Sequence, residues 1–269
     1  VKRLIGIYRE KEYSPGAHES NDAVVLEAVA ERLRESGFAL ELISAAEVNG
    51  APHCDALVLS MCQGTPALEK LAKWERNGTK IVNSPSAARN THRDRLPGIL
   101  EQAGIPFPRT TLVPTGRKLN GEIPHDGGLW LKRGDVHASV AADVQRFDSF
   151  DELANALGQF NARGIATAAV QTHCAGDEIK FYGVGGGEFF HWFYSREGNG
   201  YAFEETSLKS LATRAAEAAG LDVFGGDVIV SPDGALTLID LNDWPSFAPC
   251  RDAAAEAIAN LITRRANGG

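Results

Sequence analysis

Apolar residues in the first third of the chain come in short runs, each followed by a stretch with helical spacing. Leu4 to Tyr8, Phe38 to Ile43, Ala56 to Met61 and Thr79 to Val82 read as strands. From Asn21 to Ser36, Val25, Val29 and Leu33 recur at i, i+4 and i+8 before Gly37 supplies a stop, which predicts an amphipathic helix. A second helix is predicted over Pro66 to Arg76. Strands that alternate with helices need crossover connections, so residues 1–85 should form an α/β unit around a parallel sheet. Ligands of such sheets bind beyond the carboxyl ends of the strands. The segments Arg9 to Asp22 and Cys62 to Thr65 are therefore candidate substrate loops, although Asn21 and Asp22 suit helix capping equally well.

Beyond residue 85 the pattern changes. Residues 86–105 read as a helix that ends near Gly104 and Pro106, so that 86–112 connects two units. From Thr110 to Gly176 the chain reads as a small α+β unit, with short strands around Leu112, Leu131 and Val170 and a helix from Phe150 to Asn161, residues 113–176 being the small lobe. Residues 177–269 return to strands at Ile179 to Val184 and Phe189 to Tyr194, then a helix over Ser207 to Ala219, a hairpin and a last helix. Ala254, Ile258, Leu261 and Ile262 mark the buried stripe of that last helix.

The hairpin carries the densest chemistry. Ser231-Pro232-Asp233-Gly234 is a turn by composition, and it separates two β-branched, apolar runs. If those four residues form the loop, Val230 pairs with Ala235, Ile229 with Leu236 and Asp227 with Leu238. Strand side chains alternate, so Asp227, Asp240 and Asn242 should project to one side. Two neighbouring buried carboxylates repel unless a cation sits between them. Mg²⁺ removes that conflict, being held by one or two carboxylates together with nucleotide phosphates. The plainer alternative is a polar hairpin end capped by Asn242 and Asp243.

Composition narrows the classes. The formal net charge of −8 argues against a general nucleic-acid binder. Cys54, Cys62, Cys174 and Cys250 show no CxxC or zinc spacing, so reduced thiols and a cytoplasmic setting are expected. The apolar part of VKRLIGIYRE is too short for a signal peptide or a membrane span.

The order of segments resembles the ATP-grasp superfamily. Asp227, then Asp240-Leu241-Asn242, then Pro245-Ser246 is similar to its metal-binding end. Arg93-Asp94-Arg95 with GILEQAGIPFPRT, then Leu129-Trp130-Leu131-Lys132, then Ala169 to His173 and Gly176 to Lys180 resemble its earlier segments in the same order. The resemblance covers residues 85 to 250 and implies a two-lobed nucleotide cleft behind an N-terminal pre-ATP-grasp domain. It also implies ATP with Mg²⁺, or Mn²⁺ in its place. By the same resemblance, Arg95 and Lys132 would hold phosphates. Gln171 and the backbone at Thr172 and His173 would read adenine, and Glu178 would accept from ribose. Lys180, Arg196 and His137 would handle the reacting anions, while Arg9, Ser246 and Arg251 would meet substrate. The loop Arg133 to Ser139 departs from the glycine-rich lid of the typical member, having one glycine.

Most members of the superfamily activate a carboxylate as an acyl phosphate for capture by an amine. The implied activity is thus a carboxylate–amine ligase resembling the ribosomal-modification glutamate ligases, with small-molecule acid and amine substrates. No nucleic-acid or membrane partner is expected, and the sequence leaves the oligomeric state open. Lys132 before a histidine-containing loop and Lys180-Phe181-Tyr182-Gly183-Val184 are also similar to inositol trisphosphate-type kinases, which would phosphorylate a hydroxyl. A non-catalytic nucleotide-binding protein is the third reading, against which the retained Asp227, Asp240 and Asn242 argue.

Overall fold

The computed structural model describes residues 2–14, 19–50, 55–117, 123, 127–136, 138, 140–196 and 198–268. Among the described residues, three four-stranded sheets make up the fold. The first is parallel, in the order β2-β1-β3-β4, from β1 (Arg3–Ile7), β2 (Ala39–Ile43), β3 (Leu57–Ser60) and β4 (Ile81–Val82). Its crossovers contain α1 (Glu19–Glu35), the short α2 (Ala45–Gly50), which the sequence pattern misses, and α3 (Thr65–Arg76).

Alternation along β1 sorts its residues between two cores. Leu4 joins the core under α1, whereas Ile5 and Ile7 join the core under α2 and α3. Gly6 faces α1, where an added Cβ would stand 2.5 Å from a Leu42 methyl. The core under α1 also takes in the last helix, α8 (Arg251–Ala266), together with Trp244 and Phe247. The chain's two ends are therefore packed against each other.

The predicted helix over 86–105 is broken into α4 (Pro85–Asn90) and α5 (Leu96–Gln102). The break falls at Thr91 to Arg95, a turn whose Thr91, His92 and Arg93 are all buried. A second sheet, antiparallel in the order β5-β8-β6-β7, consists of β5 (Thr110–Pro114), β6 (Leu129–Arg133), β7 (Val144–Phe147) and β8 (Thr167–Thr172). It packs on α6 (Phe150–Ala162) through Leu129, Leu131, Val170, Leu153 and Phe160. Its other face, with Lys132 and Gln171, is left to meet the third sheet. The polar segment VQRF of β7 has too weak an alternation to be read as a strand from sequence.

The third sheet is antiparallel in the order β10-β9-β11-β12, with β9 (Asp177–Val184), β10 (Phe189–Tyr194), β11 (Val223–Val230) and β12 (Leu236–Asp243). The helix α7 (Glu205–Ala219) and α5 cover one face, burying Ile179, Phe181, Val228, Leu238 and Leu241.

The hairpin register departs from the expected one in two compensating steps. Near the turn Val230 pairs with Leu236 and Val228 with Leu238, one residue off, because the loop spans Ser231 to Ala235. It is closed by the Ser231 amide on the Ala235 carbonyl at 3.0 Å. A bulge then restores parity and sets Asp227 directly opposite Asp240. Leu238, expected on the face of Asp227, instead turns into the core beside Leu241. Burying both leucines favours the bulge by about 2 kcal/mol for each side chain removed from water. Among the described residues, no helix is long and apolar enough to cross a membrane.

Candidate active site

The open face of the third sheet presents Asp227, Asp240 and Asn242 together. Asp240 lies across from Asp227, and Asn242 across from Gly225, two residues before Asp227 on its strand. Each carboxylate already has a cation. The Lys180 ammonium donates to Asp227 Oδ1 at 2.6 Å, and the Arg93 guanidinium donates to Asp240 Oδ2 at 2.6 Å. Burial raises the pKa of Asp227, and the neighbouring Asp240 adds to it against the pull of Lys180. Burial works against the charge of Lys180, but Asp227 and Glu178 outweigh it and raise its pKa.

Arg93 is the residue that sequence reasoning missed. The sequence points to Arg95, yet Arg95 is exposed at the start of α5, and the buried Arg93 reaches the carboxylates instead. Two positions apart in a tight turn, the side chains diverge, and nothing in the string His92-Arg93-Asp94-Arg95 reveals which one turns inward. Arg93 also donates to the Val136 carbonyl at 3.3 Å, while its Nε is buried without a partner among the described residues.

Lys132 projects from β6 toward the hairpin and donates to the carbonyl of Ile239, beside the bulge, at 3.2 Å. Burial pushes its pKa down to about 8; Asp240 opposes that shift and Arg93 adds to it. A narrow gap lined by Arg93, Lys132, Gln171, Thr110 and Ile239 lies between the second sheet and the hairpin. Three cations (Arg93, Lys132 and Lys180) thus face three carboxylates (Asp227, Asp240 and Glu178).

The remaining predicted residues divide. Gln171 is buried and donates to Thr110 Oγ1 at 3.3 Å. The amides of Thr172 and His173 donate to the Arg109 and Gly128 carbonyls, at 3.0 and 3.1 Å, so both are spent within the protein. The His173 ring accepts from Trp130 Nε1 at 3.2 Å. Glu178 stands between Lys180 at 3.7 Å and Arg196 at 3.5 Å. The Arg196 side chain is 77% exposed, beside the site rather than in it. Ser246 lies near enough to Tyr182 to act on its hydroxyl, and Arg251 opens α8. His137 lies outside the described residues. The single glycine of its loop, Gly134, is used structurally: a Cβ there would stand 2.8 Å from the Thr167 carbonyl.

Arg9 is a clamp between the first sheet and the hairpin. Its guanidinium donates to the carbonyls of Trp244 at 2.9 Å and Asp243 at 3.2 Å. Gln63 donates to the buried Asp243, whose carboxyl is pushed up to about 7 by burial, against the pull of Arg9 and Gln63. Glu10 accepts from the amides of Gln63 and Gly64, both at 3.0 Å, capping the start of α3. Beside these loops, at the carboxyl end of the parallel sheet, is a cavity of about 780 Å³ lined by Tyr8, Arg9, Tyr13, Glu27, Ser44 and Pro66, among others.

The donor set suits a hard divalent ion that shares its coordination with a nucleotide. No group of three His, Cys, Asp or Glu able to hold a metal alone occurs among the described residues. Two carboxylates and an amide oxygen are the incomplete set that Mg²⁺ accepts when phosphates and water supply the rest.

No family model matches the chain, and no curated protein matches it in sequence. Solved structures do match it in fold. The D-alanine–D-alanine ligase of Bacillus anthracis, complexed with ATP, superposes with a TM-score of 0.74 at 14% identity, covering 99% of this chain and 99% of that one. A RimK domain ATP-grasp protein of Sphaerobacter thermophilus gives 0.71 at 19% identity, over 97% of this chain and 99% of its own. The ATP-grasp ligase PsnB, complexed with a minimal precursor, gives 0.64 at 17% identity, over 97% and 98%.

Proposed function

Because the chain has the ATP-grasp fold, we propose that it is an ATP-dependent ligase that joins a carboxylic acid to an amine through an acyl phosphate. The observation that carries this reading is the set of three cations converging on the paired carboxylates where the second sheet meets the hairpin. Lys132 and Arg93 would grip the phosphates of ATP, the buried Nε of Arg93 supplying a donor that the protein itself does not use. Asp227, Asp240 and Asn242 would hold Mg²⁺, which when bound neutralises charge on the phosphates during transfer. Lys180 and Arg93, now paired with Asp227 and Asp240, would be the cations left for the anionic substrates when those carboxylates hold the ion.

In the first step a carboxylate oxygen of the acid attacks the γ-phosphorus and ADP leaves. In the second, the amine nitrogen attacks the acyl carbon, the carbon–oxygen bond to phosphate breaks, and the amine sheds a proton as phosphate departs. Lys180, paired with Asp227 at 2.6 Å, would balance the anion in both steps. Incubating the protein with ATP, Mg²⁺, candidate acids and hydroxylamine should give ADP and a hydroxamate. A phosphate monoester in place of the hydroxamate would sink the ligase reading and leave a kinase. Absence of any ADP above background would leave only nucleotide binding.

A further inference from the structure

Strand pairing arranges the open face of the third sheet in rows. One row runs Phe193, Lys180, Asp227, Asp240; the next runs His191, Tyr182, Gly225, Asn242. Each row passes from an aromatic ring on β10 to an oxygen-bearing side chain on β12. On the opposite face of β10, Phe190, Trp192 and Tyr194 pack against the core under α7. Phe193 joins none of the four apolar cores found among the described residues. It is only half-buried, and its ring meets Tyr182, with centroids 5.9 Å apart, and His191, at 6.1 Å.

The Tyr182 ring leans over Gly225, where an added Cβ would come within 2.8 Å of both Tyr182 and Pro245. It also packs on Phe247 at 5.1 Å. Tyr182 is thus a fixed floor, with Phe193 and His191 as a wall that stays partly accessible. Large rings left partly uncovered beside charged groups lose burial that a flat ligand would restore.

We propose that this wall is the acid-binding subsite and that it takes a carboxylic acid bearing a planar aromatic ring. The proposal rests on the ligase reading above and names the substrate class of the same site. Adjacent strands lie about 4.8 Å apart, so Phe193 is one spacing from Lys180 and about 10 Å from Asp227. The single spacing of about 4.8 Å between Phe193 and Lys180 matches a ring joined to its carboxylate by two or three bonds. The ring stacks on Phe193 and His191, and the carboxylate lies at Lys180, on the side toward the phosphates.

The test uses hydroxylamine as the amine, so that only the acid varies. With ATP and Mg²⁺, kcat/KM for hydroxamate formation should be at least about tenfold higher with 3-phenylpropanoate than with butanoate. Phe193→Ala should reduce that ratio to about threefold or less, and Phe193→Leu, which keeps an apolar side chain without a ring, should give an intermediate value. Equal rates with the two acids in the wild type would overturn the subsite and leave the ligase standing. If no acid gives a hydroxamate, saturation-transfer NMR with 3-phenylpropanoate separates the two ideas. Ring contacts present in the wild type and lost in Phe193→Ala support the subsite although the ligase reading has failed, and their absence in the wild type overturns it. Sedimentation as a dimer that Phe193→Ala dissociates, with the acid preference unchanged, would assign the ring to a contact between copies and also overturn it.

Discussion

The two faces of the third sheet are built from the same four strands and hold alternate residues of them, yet they are opposite in character. On one face Ile179, Phe181, Val228, Leu238 and Leu241 are fully buried under α7. On the other Lys180, Asp227 and Asp240 form ion pairs that remain partly open. The apolar face has one good arrangement, because every side chain there is surrounded by close-packed neighbours. Under the proposed function the charged face would have at least two, each carboxylate exchanging its protein cation for a metal ion and each cation its carboxylate for a phosphate. Stability is concentrated on the first face and chemistry on the second, and the bulge in β12 keeps them apart by placing Leu238 and Asp240 on opposite sides.

Substitutions on each face should separate these properties. The largest effect is expected from Asp240→Asn, which removes a candidate metal ligand and should lower turnover by about a thousandfold or more, as loss of metal-assisted charge neutralisation does. The protein should remain folded, although Arg93, left buried without its carboxylate, should cost roughly 3 kcal/mol by urea unfolding. Normal turnover in this variant would break the division between faces. Next comes Phe181→Ala, on the packed face and fully buried. Its cost should be about 3 to 5 kcal/mol in denaturant unfolding, with nucleotide affinity in the surviving folded protein close to that of wild type.

The smallest expected effect is a pH dependence. Because burial holds Lys132 at about 8 in the folded protein, below its ordinary value, it loses its charge there as pH rises. Between that value and the ordinary lysine range the unfolded chain binds more protons than the native protein, so this group favours folding increasingly as pH rises. Nucleotide affinity should move the other way. Measured by calorimetry without metal, it should weaken as pH passes about 8 in the wild type and stay level through the same range in Lys132→Met. Parallel curves for the two proteins would remove Lys132 from the phosphate site.

A second contrast lies within β12. Asp240 is balanced by a guanidinium, whereas Asp243 is buried against the amide of Gln63 and keeps one oxygen without a partner among the described residues. The first arrangement leaves a carboxylate that a cation can capture. The second ties the strand end to the first sheet, together with the Arg9 clamp, and so fixes where Asn242 sits. Arg9, expected to meet substrate from its place after the first strand, has its guanidinium engaged by backbone carbonyls instead.

Much was determined by the sequence alone. Period-two and period-3.6 patterns locate most of the strands and helices, since burial of one face is a local demand that each segment meets by its own spacing. They also place Asp227, Asp240 and Asn242 on a common side, and they do so despite a wrong register, because two one-residue errors restore the parity on which a face depends. Only the tertiary structure decided that Arg93 rather than Arg95 turns inward, that the amides of Thr172 and His173 are already engaged, that the last helix packs on the first, and that Phe193 lies half-buried beside Lys180. Each of these depends on which partner occupies a direction in space. Residues far apart in the chain supply those partners, and no local pattern encodes them.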